Sequence, residues 1–325
     1  MGTPELLELT VAARQPLAED IALFELHAAD GQALPPWEAG AHIELQLPHE
    51  GRVLTRPYSL CGVPGESARW QIAVQREPAS RGGSAAVHLQ LHPGRGVRAT
   101  PPRNRFALVP GPHPSLLLAG GIGITPLLAM AEALHAQGAR FTLHHATRNA
   151  ARTPFVQRLA LAPWHHRVHR HFDDGPAEQR LDITATLAAA APGTHLYVCG
   201  PQGFMDAVLA TARAAGWPEA QLHWESFGAE VAPLAGDRAF TLVLARSGLT
   251  LAVDAGQTCA QAIAAAGVFL PTSCEQGVCG TCLTPVLEGR PDHRDQYLTP
   301  EEQAAGTQFT PCCSRSLDER LVIDL

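Results

Sequence analysis

Four cysteines toward the C-terminal end of this 325-residue chain, Cys274, Cys279, Cys282 and Cys312, carry its strongest chemical signal. The first three stand in the run C-E-Q-G-V-C-G-T-C, and 29 residues separate Cys282 from the fourth. This C-x4-C-x2-C…C spacing is that of a plant-type [2Fe–2S] site, in which one tight loop gives three thiolates and a separate segment gives the last. Gly277 and Gly280 suit such a loop, where backbone curls around inorganic sulfide and side chains would obstruct it. Zinc also accepts four thiolates, but its sites usually pair two short C-x2–4-C knuckles. Disulfides are a weaker rival, because they belong to oxidising compartments. Cys313 directly follows Cys312, and the 29-residue gap favours Cys312 as the ligand. Cys61, Cys199, Cys259 and Cys313 read as buried small hydrophobes.

A second kind of chemistry is phosphate binding. Ser115–Pro126 reads S-L-L-L-A-G-G-I-G-I-T-P, an apolar strand, a turn holding Gly120, Gly121 and Gly123, then Thr125 and a proline suited to the first turn of a helix. Such a turn brings backbone N–H groups and a helix N-terminus against a pyrophosphate. It departs from G-x-G-x-x-G because Pro126 falls where the third glycine would stand, and alone it also reads as a plain strand-to-helix connection. Cys199-Gly200-Pro201 makes a second turn at the end of another predicted strand, and two such turns in one sheet define a nucleotide crevice more securely than one. Asp173, after the third predicted parallel strand, can accept from an adenosine ribose hydroxyl and would repel the extra phosphate of NADP; a solvated turn carboxylate is the plain alternative. Nearer the N-terminus, Arg56-Pro57-Tyr58-Ser59 combines a phosphate fork, an aromatic plate and a hydroxyl, and Arg81-Gly82-Gly83-Ser84 offers freed backbone amides. Each also reads as a surface arginine beside a core tyrosine, or as a turn.

The elements that must position these residues fall into three segments. Residues 1–110 read as all-β, with strands near 41–47, 54–60 and 69–75; in the last, Trp70, Ile72 and Val74 alternate with Gln71, Ala73 and Gln75. Several short strands suggest a small antiparallel β-barrel. The stretch 109–114, V-P-G-P-H-P, reads as a hinge. Residues 111–230 alternate strands (116–119, 141–146, 167–172, 195–199, 221–224) with helical patterns (126–137, 203–215), which predicts a doubly wound parallel sheet covered on both faces. After a linker near 229–237, residues 237–325 open with strands at 240–245 and 250–253 and a short helix at 259–266, and close on a strand at 320–325.

Composition narrows the class. A hydrophobic fraction of 46% supports real cores, and a net charge of −7 argues against nucleic acid and anionic membranes as partners. There is no lysine, so arginine must hold any phosphate and Schiff-base chemistry is excluded. Residues 1–20 show no basic region followed by an apolar run, Leu6 stands where a myristoylation signal needs Ser or Thr, and the longest uncharged stretch, 114–130, is shorter than a membrane span. A cytoplasmic protein is expected. His144-His145 and His165-His166 lack a third ligand at sensible spacing and read as strand or surface residues.

Together the motifs Arg56–Cys61, Ile72–Val74, Arg81–Ser84, Ala119–Pro126, Cys199–Pro201, Glu225–Gly228 and the cysteine loop resemble the phthalate dioxygenase reductase and vanillate demethylase reductase type of the ferredoxin–NADP reductase superfamily. The resemblance covers essentially the whole chain. It implies a multidomain architecture of α/β plus β: an FMN barrel, a nicotinamide domain, and a β-grasp plant-type ferredoxin domain ligating its cluster through Cys274, Cys279, Cys282 and Cys312. FMN would stack on Tyr58 in a pocket with Pro57, Ala73, Val74 and Gln75, its phosphate held by Arg56 and Arg81–Ser84, with Ser59 near the reactive flavin nitrogen. Thr125 and Phe227 would face the nicotinamide side. Gln75 departs from the basic residue that members often carry. NADH gives two electrons at once and the cluster takes one, so flavin is the converter. The implied activity is that of a monomeric NADH-dependent reductase feeding a terminal oxygenase, either a Rieske non-haem iron hydroxylase or demethylase, or another acceptor such as a haem monooxygenase. A redox-sensing protein without turnover is the alternative from another class.

Overall fold

The computed structural model describes residues 6–49, 52–78, 82–227, 236–272, 277, 280–295 and 297–325. It divides into two compact units, Met1–Phe227 and Gly228–Leu325.

The first unit opens with antiparallel strands β1 (Leu7–Ala18), β2 (Ile21–Ala28), β3 (Ala41–His49), β4 (Arg52–Ser59), β5 (Trp70–Gln75) and β6 (Gly96–Ala99), joined in the order β4-β3-β6-β1-β2-β5. A short β7 (Arg103–Asn104) also pairs with β3. The ends of this path meet at a Leu60–Ile72 bridge, which curls the sheet into a barrel. Leu9, Val11, Phe24, Leu26, Ile43, Leu45, Trp70 and Ile72 fill its interior. Ala73 is buried beside Val74, so β5 departs from strict alternation. The barrel carries one helix, α1 (Gly83–Gln90).

Five strands follow, β8 (Ser115–Gly120), β9 (Phe141–Thr147), β10 (Val168–Phe172), β11 (His195–Gly200) and β12 (Leu222–Ser226), all parallel and ordered β10-β9-β8-β11-β12. Alternation in these strands sorts two faces. Leu117, Ala119, Leu143 and Tyr197 pack with helix α2 (Ile124–Ala136). Leu116, Leu118, Leu196 and Val198 pack with α4 (Ile183–Ala188) and α5 (Gln202–Ala214), while the short α3 (Val156–Leu161) follows β9. The sheet is therefore doubly wound. Its α2 face and the barrel interior form one continuous apolar core. The 109–114 stretch is no free hinge: the Val109 N–H donates to the Tyr197 hydroxyl at 2.9 Å, and the His113 ring stacks on His195 at 3.9 Å. Among the described residues no helix is long and apolar enough to cross a membrane.

The second unit is built on a sheet in the order β14-β13-β19-β15-β17. Its strands are β13 (Phe240–Leu244), β14 (Leu249–Val253), β15 (Thr284–Glu288), β17 (Gln308–Phe309) and β19 (Arg320–Ile323), and β16 (Pro291–Asp292) pairs separately with β18 (Arg315–Ser316). The last strand lies parallel to the first, and helix α6 (Cys259–Ala265) packs against the sheet, giving a β-grasp arrangement. Capping boxes start both helices: Thr258 with Gln261 at α6, and Thr299 with Glu302 at α7 (Pro300–Ala305).

Candidate functional site

The strand order reverses between β8 and β11, and in open α/β sheets ligands bind at that switch point, beyond the strand C-termini. Both glycine turns lie there. A Cβ on Gly123 would fall 2.2 Å from the Cys199 carbonyl oxygen, and one on Gly200 would fall 2.8 Å from Gly120 Cα. The two turns thus touch backbone to backbone, a packing only glycine permits. Gly121 has φ +55° and faces open space. Buried Thr125 donates its hydroxyl to the Ile122 carbonyl at 3.1 Å, closing the first turn of α2, with Pro126 in that same turn. Pro201 caps α5. Two abutting glycine turns at a switch point, the first leading into the N-terminus of α2 and with open space beside Gly121, fit a pyrophosphate. Asp173 is exposed past the end of β10, its N–H donating to the Thr147 carbonyl at 3.0 Å.

On the barrel, β4 carries Arg56, Pro57, Tyr58 and Ser59 in register with Leu45, Glu44, Ile43 and His42 of β3. Gly83 opens α1 directly against the Arg56 side chain; a Cβ there would lie 2.9 Å from Arg56 Cγ. Gly82, with φ +91°, precedes it as the N-cap, and Ser84 Oγ accepts from the Glu77 N–H at 3.1 Å. The segment read as a turn is therefore the start of a helix whose first residue lies against the Arg56 side chain, and a helix N-terminus beside a guanidinium fits a phosphate. Arg81 lies outside the described residues. Tyr58 packs on the barrel core, and burial pushes its hydroxyl pKa up. Ala73, Val74 and Gln75 continue β5, where the Val74 carbonyl meets His88 Nε2 at 2.8 Å.

One candidate site residue was given no role in the sequence reading. Ser59 Oγ donates to Glu225 Oε2 at 3.1 Å, bringing β4 and β12 together. Burial of the Glu225 carboxyl raises its pKa to about 7, although the Ser59 hydrogen bond acts in the opposite direction. Glu225 also raises the pKa of the neighbouring buried Cys199, after burial itself. Glu225 sits in the same E-S-F-G run as Phe227, which is 41% exposed and free to cover a planar ligand. A carboxyl two residues before that aromatic was the available signal.

In the second unit, Cys282, Cys312 and Cys313 form one small buried patch with Ala260 and Leu270. The Cys312 thiol meets that of Cys282, and this contact, ahead of Cys313 and burial, holds its pKa far up. Cys313 also meets the Cys312 thiol, which lowers its pKa, and engages the Thr310 hydroxyl at 3.1 Å. Gly277 has φ +72°, and a Cβ there would fall 2.4 Å from Cys313 Sγ and 2.8 Å from Asp295 Cα. Asp295 accepts from the Leu298 N–H at 2.8 Å and from the Ser314 hydroxyl at 3.3 Å, tying the segment that follows Cys312 to 295–298. Two adjoining soft sulfur donors in a dry pocket fit an iron–sulfur cluster. Cys274 and Cys279 lie outside the described residues.

Barrel, switch-point crevice and β-grasp unit with paired cysteines define a flavoprotein reductase with its own iron–sulfur domain. The model of the 2Fe-2S iron-sulfur cluster binding domain matches residues 242–317, and that of the dimethylamine monooxygenase subunit DmmA-like N-terminal domain matches 95–222. The vanillate O-demethylase oxidoreductase of Pseudomonas sp. (strain HR199 / DSM 7063) is 48% identical over 320 residues, covering 98% of this chain and 100% of its own. The solved phthalate dioxygenase reductase, a modular structure for electron transfer from pyridine nucleotides to [2Fe-2S], is 38% identical with a TM-score of 0.76, covering 98% of each chain. An intact type IV self-sufficient cytochrome P450 monooxygenase is 37% identical with a TM-score of 0.79, over 98% of this chain and 41% of that one. The chain belongs to the phthalate dioxygenase reductase and vanillate O-demethylase oxidoreductase family of the ferredoxin–NADP reductase-like superfamily. It is an oxidoreductase that uses NADH, FMN and a [2Fe–2S] cluster to deliver electrons to a terminal oxygenase.

Proposed function

We propose that the oxygenase served is a Rieske non-haem iron demethylase or hydroxylase acting on a small aromatic acid. The observation that carries this reading is full-length identity of 48% with the vanillate O-demethylase oxidoreductase. Reconstitution tests it: the purified chain, with NADH and a purified vanillate demethylase oxygenase, should support coupled demethylation of vanillate. A haem monooxygenase as acceptor is the second reading, favoured by the likeness to the self-sufficient P450 chain. Coupling to a P450 domain but to no Rieske oxygenase would decide for it.

In this reading residues 1–110 bind FMN, 111–230 bind NADH and 237–325 hold the cluster. FMN supplies the conversion between a two-electron hydride and single electrons. Arg56 and Arg81–Ser84 would hold its phosphate, Tyr58 would contact its ring, and Pro57, Ala73, Val74 and Gln75 would line the pocket. Ser59 and Glu225 form a hydrogen-bonded pair that would hold a proton for bound FMN. Gly120–Gly123 and Cys199–Pro201 bind the dinucleotide, Thr125 and Phe227 orient its nicotinamide, and Asp173 accepts from the adenosine ribose. Cys274, Cys279, Cys282 and Cys312 hold the iron. The chain acts as a cytoplasmic monomer.

A further inference from the structure

His145 lies on β9 beside Ala119 of β8, fully buried beneath the first glycine turn. Its Nε2 is 3.0 Å from the Gly121 carbonyl oxygen, which also accepts from the Ile124 N–H. A carbonyl can only accept, so Nε2 carries the proton and the ring is a neutral donor. Burial drives the imidazole pKa down to about 4, against the opposing effect of the Gly121 hydrogen bond, so the ring stays neutral across the physiological range. Nδ1 is buried without a partner among the described residues. The ring therefore has one polar attachment, to the turn.

That attachment has a geometric consequence. In a trans peptide the C=O and the following N–H point in opposite directions. Holding the Gly121 carbonyl from the sheet side turns the Ile122 N–H away from His145 and the sheet. We propose that His145 is a positioning residue for the dinucleotide, fixing the Gly121 carbonyl from beneath so that the Ile122 N–H is aimed at the pyrophosphate of NADH. The proposal rests on reading Gly120–Gly123 as the pyrophosphate cradle.

The test measures binding of ADP-ribose, which carries the pyrophosphate without the nicotinamide, to the FMN- and cluster-loaded chain by calorimetry. Steady-state NADH kinetics with a two-electron dye run alongside. His145→Phe should raise the ADP-ribose Kd about tenfold, the worth of one hydrogen bond of about 1.4 kcal/mol, with the loss appearing in KM rather than kcat. His145→Gln, which can still donate to Gly121, should stay within about threefold of the parent. Gly121→Asp tests the cradle separately: aspartate tolerates positive φ, and its charge would oppose a pyrophosphate, while Gly121→Asn controls for the backbone. Wild-type binding by His145→Phe alongside weakened binding by Gly121→Asp overturns the proposal and leaves the cradle standing. Undiminished binding by Gly121→Asp overturns the cradle and the proposal with it. If His145→Phe loses FMN, His145→Met replaces it in the comparison with His145→Gln; equal losses in the donor and non-donor variants overturn the proposal.

Discussion

The Ser59 hydroxyl and the Glu225 carboxyl, 166 residues apart in sequence, meet at 3.1 Å and join the barrel to an edge strand of the nucleotide sheet. The pair lies where barrel and switch-point crevice adjoin, so it bears on the step common to both. Ser59→Ala should slow flavin reduction by NADH about tenfold in stopped-flow traces, with FMN content intact, since one hydrogen bond of roughly 1–1.5 kcal/mol is lost. Normal rates in this variant would remove the pair from the hydride step.

Glu225 also sets a pH dependence. Its folded-state pKa of about 7 lies above the ordinary 4.5, so between those values the folded chain binds more protons than the unfolded one. Stability from this group is present at low pH and lost as pH rises through that window, by up to about 3 kcal/mol. Glu225→Gln should flatten the decline in thermal midpoint between pH 5 and 8. Parallel curves for variant and parent would show that the carboxyl is ionised throughout.

Asp173 should make NADH the better substrate. Asp173→Ala should raise the ratio of NADPH to NADH kcat/KM about tenfold, because a charge that opposes the 2′-phosphate is gone. Arg152 already pairs with Glu19 at 3.2 Å, which makes it a poor phosphate ligand in the parent chain. Equal use of both nucleotides by the parent chain would refute the role of Asp173.

The adjacent cysteines should behave differently. Cys312→Ser should lose the visible and EPR signals of the cluster and abolish electron delivery to an oxygenase, yet keep NADH-to-dye activity in the separate first unit. Cys313→Ser should keep the cluster, because Cys312 is the cysteine in contact with the Cys282 ligand while the Cys313 thiol also engages the Thr310 hydroxyl. The reverse pattern would assign the fourth ligand to Cys313.

Removing the Arg56 guanidinium should leave the cluster and weaken FMN. A charge-assisted phosphate contact is worth about 1.5–3 kcal/mol, so Arg56→Ala should retain FMN poorly and recover activity when FMN is added. Riboflavin affinity should barely change, because riboflavin lacks the phosphate.

The parallel sheet was legible in the sequence because its two central strands, β8 and β11, are short apolar runs closed by glycine and its strands alternate with helical patterns. Strands β1 and β2 were not. β1 exposes five consecutive residues, Ala12–Pro16, and its bulges at 11–13 and 16–18 break the two-residue period. Helix α1 was hidden because its glycines suggested a turn and Leu89 points out, 80% exposed. The cysteine spacing and glycine turns announced themselves locally. Glu225 did not, since its meaning depends on Ser59 arriving from a distant strand, and no local pattern encodes that meeting.

The Tyr197 hydroxyl that receives the Val109 N–H, and the apolar core running from barrel to α2, bear on how such chains are assembled by recombination. A crossover at 109–114 between two relatives would join a barrel from one parent to a sheet from the other across a single close-packed interior, exposing mismatched volumes on both sides. Exchange of flavin specificity or nucleotide specificity alone is therefore expected to fail as a cassette swap. Inheritance of residues 1–227 as one block is the viable route, and libraries that shuffle this family should be cut accordingly.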